Sequence, residues 1–285
     1  MESVNFDRAA GYYDATRALP ATTMAQLTAL LAAELAGRQP CVEIGVGTGR
    51  FALPLRAAGI AMAGTDISGA MLRRLAANAG GGGPFPLAQA DATRLPFAAG
   101  TFGSVLAVHV LHLIPDWRVA VDEAVRVLRP GSALVASFPT DNRAVGEPDG
   151  ATGETAGPAS GAGAAGLSRD AVAPWAGAVR EAARRHGMVG KPYGAHAPSA
   201  VAQYLAGRAT ARELNPVPVR AVSTLGEAVD YLERQLFSWS WPFTPAQAKA
   251  AAGDVRAWAA GTGVPLTAAH ETETAVRCWA FELRP

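Results

Sequence analysis

The 285-residue chain is 49% hydrophobic and 17% charged, which excludes a disordered, core-poor polypeptide and leaves room for one large domain or two modest ones. Its 25 basic and 24 acidic side chains leave a formal charge of +1, so no chain-wide field recruits nucleic acid or an anionic membrane, and a small partner is expected. Cys41 and Cys278 are too few for a disulfide framework or a four-ligand zinc site and read as free thiols. The N-terminus carries Glu2, Asp7 and Arg8 in place of an apolar signal, and no apolar stretch reaches about 18 residues, which predicts a cytoplasmic protein without membrane insertion.

Residues 21 to 37 place Met24, Leu27, Leu31 and Leu35 on one helical face, with Gly37 as the stop. Cys41 to Val46 then reads as a short buried strand. It runs into a glycine turn at Gly47, Thr48 and Gly49 and a helical stretch from 50 to 58. Ile60 to Thr65 is a second strand ending at Asp66, and Ser68 can cap a helix to about Ala79. Further strands are predicted at 85–90, 102–110 and 133–138, with a helix over 117–128 that Arg129-Pro130-Gly131 ends. Such alternation predicts a doubly wound α/β fold around a parallel sheet, whose ligand crevice lies beyond the carboxyl ends of the strands.

From Asp141 to Ser168 the chain is mostly small residues and predicts a mobile loop. Helical patterns follow at 169–186 and 199–206, and Val217 to Val222 reads as a strand. Thr224-x-x-Glu227 and Thr244-Pro-x-Gln247 each fit a capping box, opening helices to about 237 and 260, and Thr274 to Leu283 closes the chain as a strand. The expected organisation is a cofactor core over 1–140, a mobile loop and helical lid over 141–216, and late strands over 217–285 that complete the sheet around an inserted helical pair.

Several residues fall where this architecture places ligands. Glu43-Ile44-Gly45-Val46-Gly47-Thr48-Gly49 is a glycine turn between strand and helix, where the backbone can approach a ligand closely. The dinucleotide form G-x-G-x-x-G/A is broken by Arg50. Asp66, at the end of the second strand, can accept hydrogen bonds from ribose hydroxyls, and Asp91, after the third, from an adenine amino group. Both also fit ordinary turn aspartates. His112, beyond the fourth strand, is a candidate general base or a packing histidine, while nothing in the sequence positions His186, His196 or His270. Trp175, Tyr193, Trp239, Trp241 and Phe243 could line an apolar acceptor pocket or pack a core. No cluster of carboxylates suggests a metal.

Taken together, V-E-I-G-V-G-T-G-R-F, T-D-I-S-x-x-M-L, D-A-x-x-L-P-F, V-x-x-L-H and R-V-L-R-P-G resemble the class I S-adenosylmethionine-dependent methyltransferases, in particular their type 11, ubiquinone-biosynthesis-like branch, over about residues 6–138. The resemblance implies a Rossmann-like, mostly parallel seven-stranded sheet with helical additions. It implies S-adenosylmethionine as cofactor and methyl transfer to an O, N or C atom of a small-molecule acceptor. By it Glu43, Gly45, Gly47 and Gly49 would hold the methionine end, Asp66 the ribose, Ile67 the adenine face, and Asp91 and Ala92 the adenine edge. His109 would offer its backbone to the methionine amino group, and Tyr12, Tyr13 and Arg17 would belong to an N-terminal segment covering the cofactor. A nicotinamide-dependent oxidoreductase and a non-catalytic S-adenosylmethionine-binding protein remain the alternatives. The missing Asn/Asp-Pro-Pro-Tyr and Pro-Cys motifs speak against nucleic-acid bases as acceptors.

Overall fold

A computed structural model describes residues 3–139, 173–190 and 193–285. The loop expected at 141–168 lies outside the described residues. In chain order the helices are α1 (Tyr13–Arg17), α2 (Ala21–Leu35), α3 (Ala52–Ala57), α4 (Gly69–Asn78), α5 (Trp117–Val127), α6 (Ala176–Arg185), α7 (Pro198–Tyr204), α8 (Leu225–Glu233) and α9 (Pro245–Thr262). The strands are β1 (Cys41–Ile44), β2 (Met62–Asp66), β3 (Leu87–Gln89), β4 (Phe102–Val108), β5 (Leu128–Ser137), β6 (Ala209–Glu213), β7 (Val217–Thr224), β8 (Ala269–Val276) and β9 (Cys278–Leu283). They belong to two compact units, the first built from residues before 140, 193–218 and 275–285, the second from the described residues of 140–192 and 219–274.

The first unit carries a seven-stranded sheet in the order β3-β2-β1-β4-β5-β9-β6. The β1–β2, β2–β3, β1–β4 and β4–β5 pairs are parallel, and β9 runs antiparallel to both β5 and β6. This is the doubly wound, mostly parallel sheet that the alternation predicts, with its order reversing between β1 and β4. Val105, Leu106 and Ala107 of β4 are fully buried, as a central strand covered on both faces requires. Against the sheet α5 lays Ala120, Val121, Ala124 and Val127, each such valine contributing about 1.5–3 kcal/mol by leaving water. In α2 the buried stripe is Thr23, Leu27, Leu31 and Leu35, with Thr23 in place of the expected Met24. Cys41 and Cys278 are buried free thiols, and desolvation pushes both up to about 12.

The last strands differ from the expected arrangement. The strand at 217–222 forms, but as β7 it pairs with β8 in a separate two-stranded sheet, and β6 takes the edge of the large one. Ala-Thr-Ala-Arg-Glu of β6 has no large apolar side chain and is almost wholly exposed, so hydrophobic periodicity could not announce it. The expected strand 274–283 is broken at Arg277, where the chain leaves its pairing with β7 for that with β5 and β6.

In the second unit Trp175, Val179, Met188, Val229, Leu232 and Val255 form a core of their own. Both capping boxes are present: Thr224 accepts from the Glu227 amide and Thr244 from that of Gln247, with Pro245 opening α9. Trp175 is 4% exposed, and Trp239 and Phe243 pack at the edge of this core. Ser238–Ser240 is a single 3-10 turn, so Trp239 and Trp241 do not share the face of an extended segment, and the Trp241 indole donates to the Gln235 carbonyl at 2.9 Å. These four aromatics are accounted for by packing.

Gly103 in β4 marks a close approach, since a Cβ there would stand 2.6 Å from the Arg38 carbonyl carbon. Gly103→Ala should therefore destabilise the chain by about 1–3 kcal/mol, read as a lower denaturant midpoint at unchanged slope.

Candidate functional site

At the carboxyl end of β1 the chain enters the turn 45–49 with positive φ at Gly45 (66°) and Gly47 (55°), a region L side chains rarely adopt. At Gly45 a Cβ would also meet Val110 Cγ2 at 2.5 Å, so glycine here serves both conformation and space. The turn is fixed from the next strand: the Val46 amide donates to the Thr65 carbonyl at 2.9 Å, and the Gly47 amide to Asp66 Oδ2 at 2.8 Å. Asp66 Oδ1 accepts from the Ser68 amide at 2.8 Å. Burial raises the Asp66 pKa, against the pull of these two amides. Each carboxylate oxygen keeps a free lone pair for a further donor.

Ser68 caps α4 by accepting from the Met71 amide, and its hydroxyl donates to Asp7 Oδ1 at 2.5 Å. Asp7 also accepts from the Ala70 amide at 3.2 Å, at the positive end of α4. The Ser68 hydroxyl, ahead of the Ala70 amide, holds Asp7 below its usual range. Asp14 repeats the device one turn further on, accepting from Thr48 Oγ1 at 2.6 Å, Asn78 Nδ2 at 3.1 Å and Arg74 Nε at 3.2 Å. Partial burial raises Asp14, but these donors outweigh it and its pKa is lowered. With the Val4 amide bonded to the Leu113 carbonyl at 3.3 Å, residues 3–17 form a strap pinned at Val4, Asp7, Asp14 and Arg17.

Under the strap lies a cleft that is partly open to solvent. Its polar edge is Thr65, Asp66, Asp91 and His109; its apolar walls include Ile44, Ile67, Met71, Val110 and Ile114, and the strap contributes Ser3, Val4, Phe6 and Tyr13. Asp91 Oδ1 accepts from the Thr93 amide and hydroxyl, both at 2.8 Å. His109 has φ 51°, and burial followed by the Arg50 charge pushes its imidazole down to about 4, so it is neutral at pH 7. Among the described residues no group of three or more His, Cys, Asp or Glu could hold a metal ion.

Residues 42–136 match the family model described as a methyltransferase domain. This segment belongs to the methyltransferase-domain family. An uncharacterised protein of Mycobacterium tuberculosis is 35% identical over 94 residues, covering 33% of this chain and 34% of its own. A demethylmenaquinone methyltransferase of Clavibacter sepedonicus is 33% identical over 141 residues, 47% of this chain and 56% of that protein. A phosphatidylethanolamine N-methyltransferase of Cereibacter sphaeroides is 37% identical over 97 residues, 33% and 47% of the two chains. The chain spans between about a third and just over half of the length of these curated relatives. Among solved structures, the CcbJ methyltransferase of Streptomyces caelestis is 27% identical over 46% of this chain and 56% of its own, with a TM-score of 0.41.

Within the methyltransferase domain and its strap, Tyr13, Gly45, Gly47, Asp66, Ile67, Asp91, Ala92 and His109 line the cleft. Gly49 does not; a Cβ there would meet Leu53 and Leu75 of the neighbouring helices. Arg17 also lies off the lining, its carbonyl accepting from Arg50 Nη1 at 2.6 Å. Arg50 itself lies over the Phe51 ring at 4.8 Å, filling the position that a dinucleotide turn keeps small. Tyr12 Oη is buried without a hydrogen-bond partner, away from the lining. Glu43, in β1, is 2% exposed and outside the lining, and its Oε2 has no hydrogen-bond partner. His112 stands outside the lining, with Nδ1 buried and unpartnered; burial, with His109 and His196 nearby, pushes it down to about 3. It is a weak proton acceptor there at neutral pH. Sequence reasoning missed Asp7 and Asp14, whose partners Ser68 and Thr48 are 61 and 34 residues away along the chain.

Because both strap carboxylates have lowered pKa values, their pinning contribution is fully present above the ordinary carboxylate range near pH 4 and is lost as pH falls through the folded values. At pH 7, Asp14→Ala should speed amide exchange across residues 12–17 while leaving the exchange of β4 and β5 unchanged.

Proposed function

We propose that the chain transfers the methyl group of S-adenosylmethionine to a nucleophilic O, N or C atom of a small-molecule acceptor. The observation that carries this reading is the joining, in one cleft of a methyltransferase domain, of the glycine turn, Asp66 and Asp91. The residues present suit such a cofactor. Asp66 keeps acceptor capacity for ribose hydroxyls, and Asp91 for an adenine amino group. Ile67 and Ala92 offer apolar surface to the base. Gly45 and Gly47 let the backbone close on the methionine end. Two relatives named for demethylmenaquinone and phosphatidylethanolamine support an acceptor that is not a polymer.

When bound, the cofactor supplies an electrophilic methyl on a sulfonium. The chain's own residues bind, orient and exclude water, which is much of what an in-line displacement requires. Phe6, Val110 and Leu113 offer apolar surface that keeps water from the cleft.

S-adenosylhomocysteine at about 100 times its dissociation constant should add about 2.7 kcal/mol of stability and raise the unfolding midpoint, while NAD should not. Asp66→Ala should weaken binding of S-adenosylhomocysteine by roughly 1.5–3 kcal/mol, since the ribose bonds and the tie to Gly47 go together. Calorimetry checks this, and unchanged affinity would remove Asp66 from the site.

A further inference from the structure

Asp91 and Ala92 reach the cleft from the connection between β3 and β4, a stretch with no helix or strand of its own. Its two ends are held differently. On the strand side the Ala90 amide donates to the Asp66 carbonyl at 3.0 Å. Asp91 then closes a turn, its carbonyl accepting from the Arg94 amide at 3.0 Å and its Oδ1 from the Thr93 amide at 2.8 Å. On the far side the hold comes from α5. Glu123 Oε2 accepts from the Leu95 amide at 2.7 Å, while Arg126 donates from Nη1 to the Phe97 carbonyl at 2.7 Å and from Nη2 to the Leu95 carbonyl at 3.1 Å. The Gly100 amide donates to the Arg126 carbonyl at 3.0 Å, so this arginine grips the loop with main chain and side chain alike.

The two side chains are also locked to each other. Arg126 Nε donates to Glu123 Oε1 at 2.6 Å and Nη2 to Oε2 at 2.8 Å, the paired geometry that a planar guanidinium gives and an ammonium does not. The Arg126 guanidinium, against the opposing effect of partial burial, holds the Glu123 carboxyl below its usual range, so the pair is ionised at pH 7. Neither residue belongs to the stripe that α5 buries, which is Trp117, Ala120, Val121, Ala124 and Val127. Apolar anchoring of the loop is supplied by Leu95, 4% exposed, and by Phe97, edge-on to Phe102 at 4.9 Å. What the ion pair adds is direction, because it satisfies the backbone groups of Leu95 and Phe97 in one conformation of the loop.

Resting on the cofactor reading above, we propose that Glu123 and Arg126 are positioning residues for the nucleobase: the pair holds loop 91–100 from behind and so sets how closely Asp91 meets the amino group of an adenine that neither side chain touches. The constraint has a short way to run. Leu95 directly follows Arg94, whose amide closes the turn on Asp91, and no glycine intervenes to absorb a shift. A displacement of about 1 Å carries an ordinary hydrogen bond out of range. The ion pair therefore bears on the preference for a base with an exocyclic amino group, and leaves the amino acid end over Gly45 and Gly47 untouched.

The test is calorimetric titration of S-adenosylhomocysteine and of S-inosylhomocysteine, which carries an oxo group where adenine carries the amino group. Arg126→Met, which keeps an unbranched stem, should bind S-adenosylhomocysteine about tenfold more weakly than the wild type and S-inosylhomocysteine at most about twofold more weakly, the difference being one hydrogen bond to a charged group. Glu123→Ala should behave alike, and Glu123→Gln, which keeps an acceptor for the Leu95 amide, should recover most of the affinity. Equal weakening of both ligands, as a merely loosened fold would give, or unchanged binding of both, would overturn the proposal. Without ligand, amide exchange at Leu95 should quicken in Arg126→Met while that of β4 stays as in the wild type, and unchanged exchange at Leu95 would also overturn it. A wild type that binds neither ligand would contradict the cofactor reading, and the proposal with it; a wild type that binds both, with the variants unaltered, would contradict the proposal alone.

Discussion

The carboxylate of Asp66 organises the site. It ends β2, and its two oxygens reach in two directions, to the Gly47 amide of the turn after β1 and to the Ser68 amide that opens α4. One buried side chain thereby sets the spacing of two adjacent strand-to-helix crossings, which form the lip of the cleft. Hydrogen bonds from ionised groups are the strong class, and here each satisfies an amide that would otherwise sit unpaired at a turn. The same residue that would meet a ribose thus also holds the loop that would meet the methionine end, and binding geometry is built before any ligand arrives.

Carboxylates recur around this centre with different environments and different tasks. Asp7 and Asp14 are held below their usual range by hydroxyl, amide and guanidinium donors, and they fasten the N-terminal strap to α4 and the glycine turn. Glu43 lies in the opposite regime, buried with one oxygen unmatched and its pKa raised. The groups that are matched hold the frame. The imidazoles of His109 and His112, by contrast, are kept neutral at pH 7 by burial.

Much of this was legible in the sequence because it is local. The β1–glycine turn–α3 unit, Asp66 after β2, Ser68 as a cap and both threonine capping boxes are written within a few residues, and each appears in the structure. The apolar core strands announced themselves by composition. What escaped depends on distant partners or on exposure. β6 has no apolar residue larger than alanine, so its place at the sheet edge follows from pairing with β9 and not from its own pattern. Asp7 and Asp14 look like surface acids until Ser68 and Thr48 are brought to them. The tryptophans read equally well as pocket or core, and the packing around Trp175 and Trp239 decided for core.

The central claim is that the cleft under residues 3–17 is the seat of an adenosyl amino acid cofactor, held by the carboxylate that also ties the glycine turn. A crystal structure of the complex with S-adenosylhomocysteine tests it most directly. The account predicts ribose hydroxyls on Asp66, the base between Ile67 and Ala92 with its amino group toward Asp91, and the amino acid end over Gly45 and Gly47. Ligand ordered elsewhere on the chain, or seated in the cleft without touching Asp66, would contradict it.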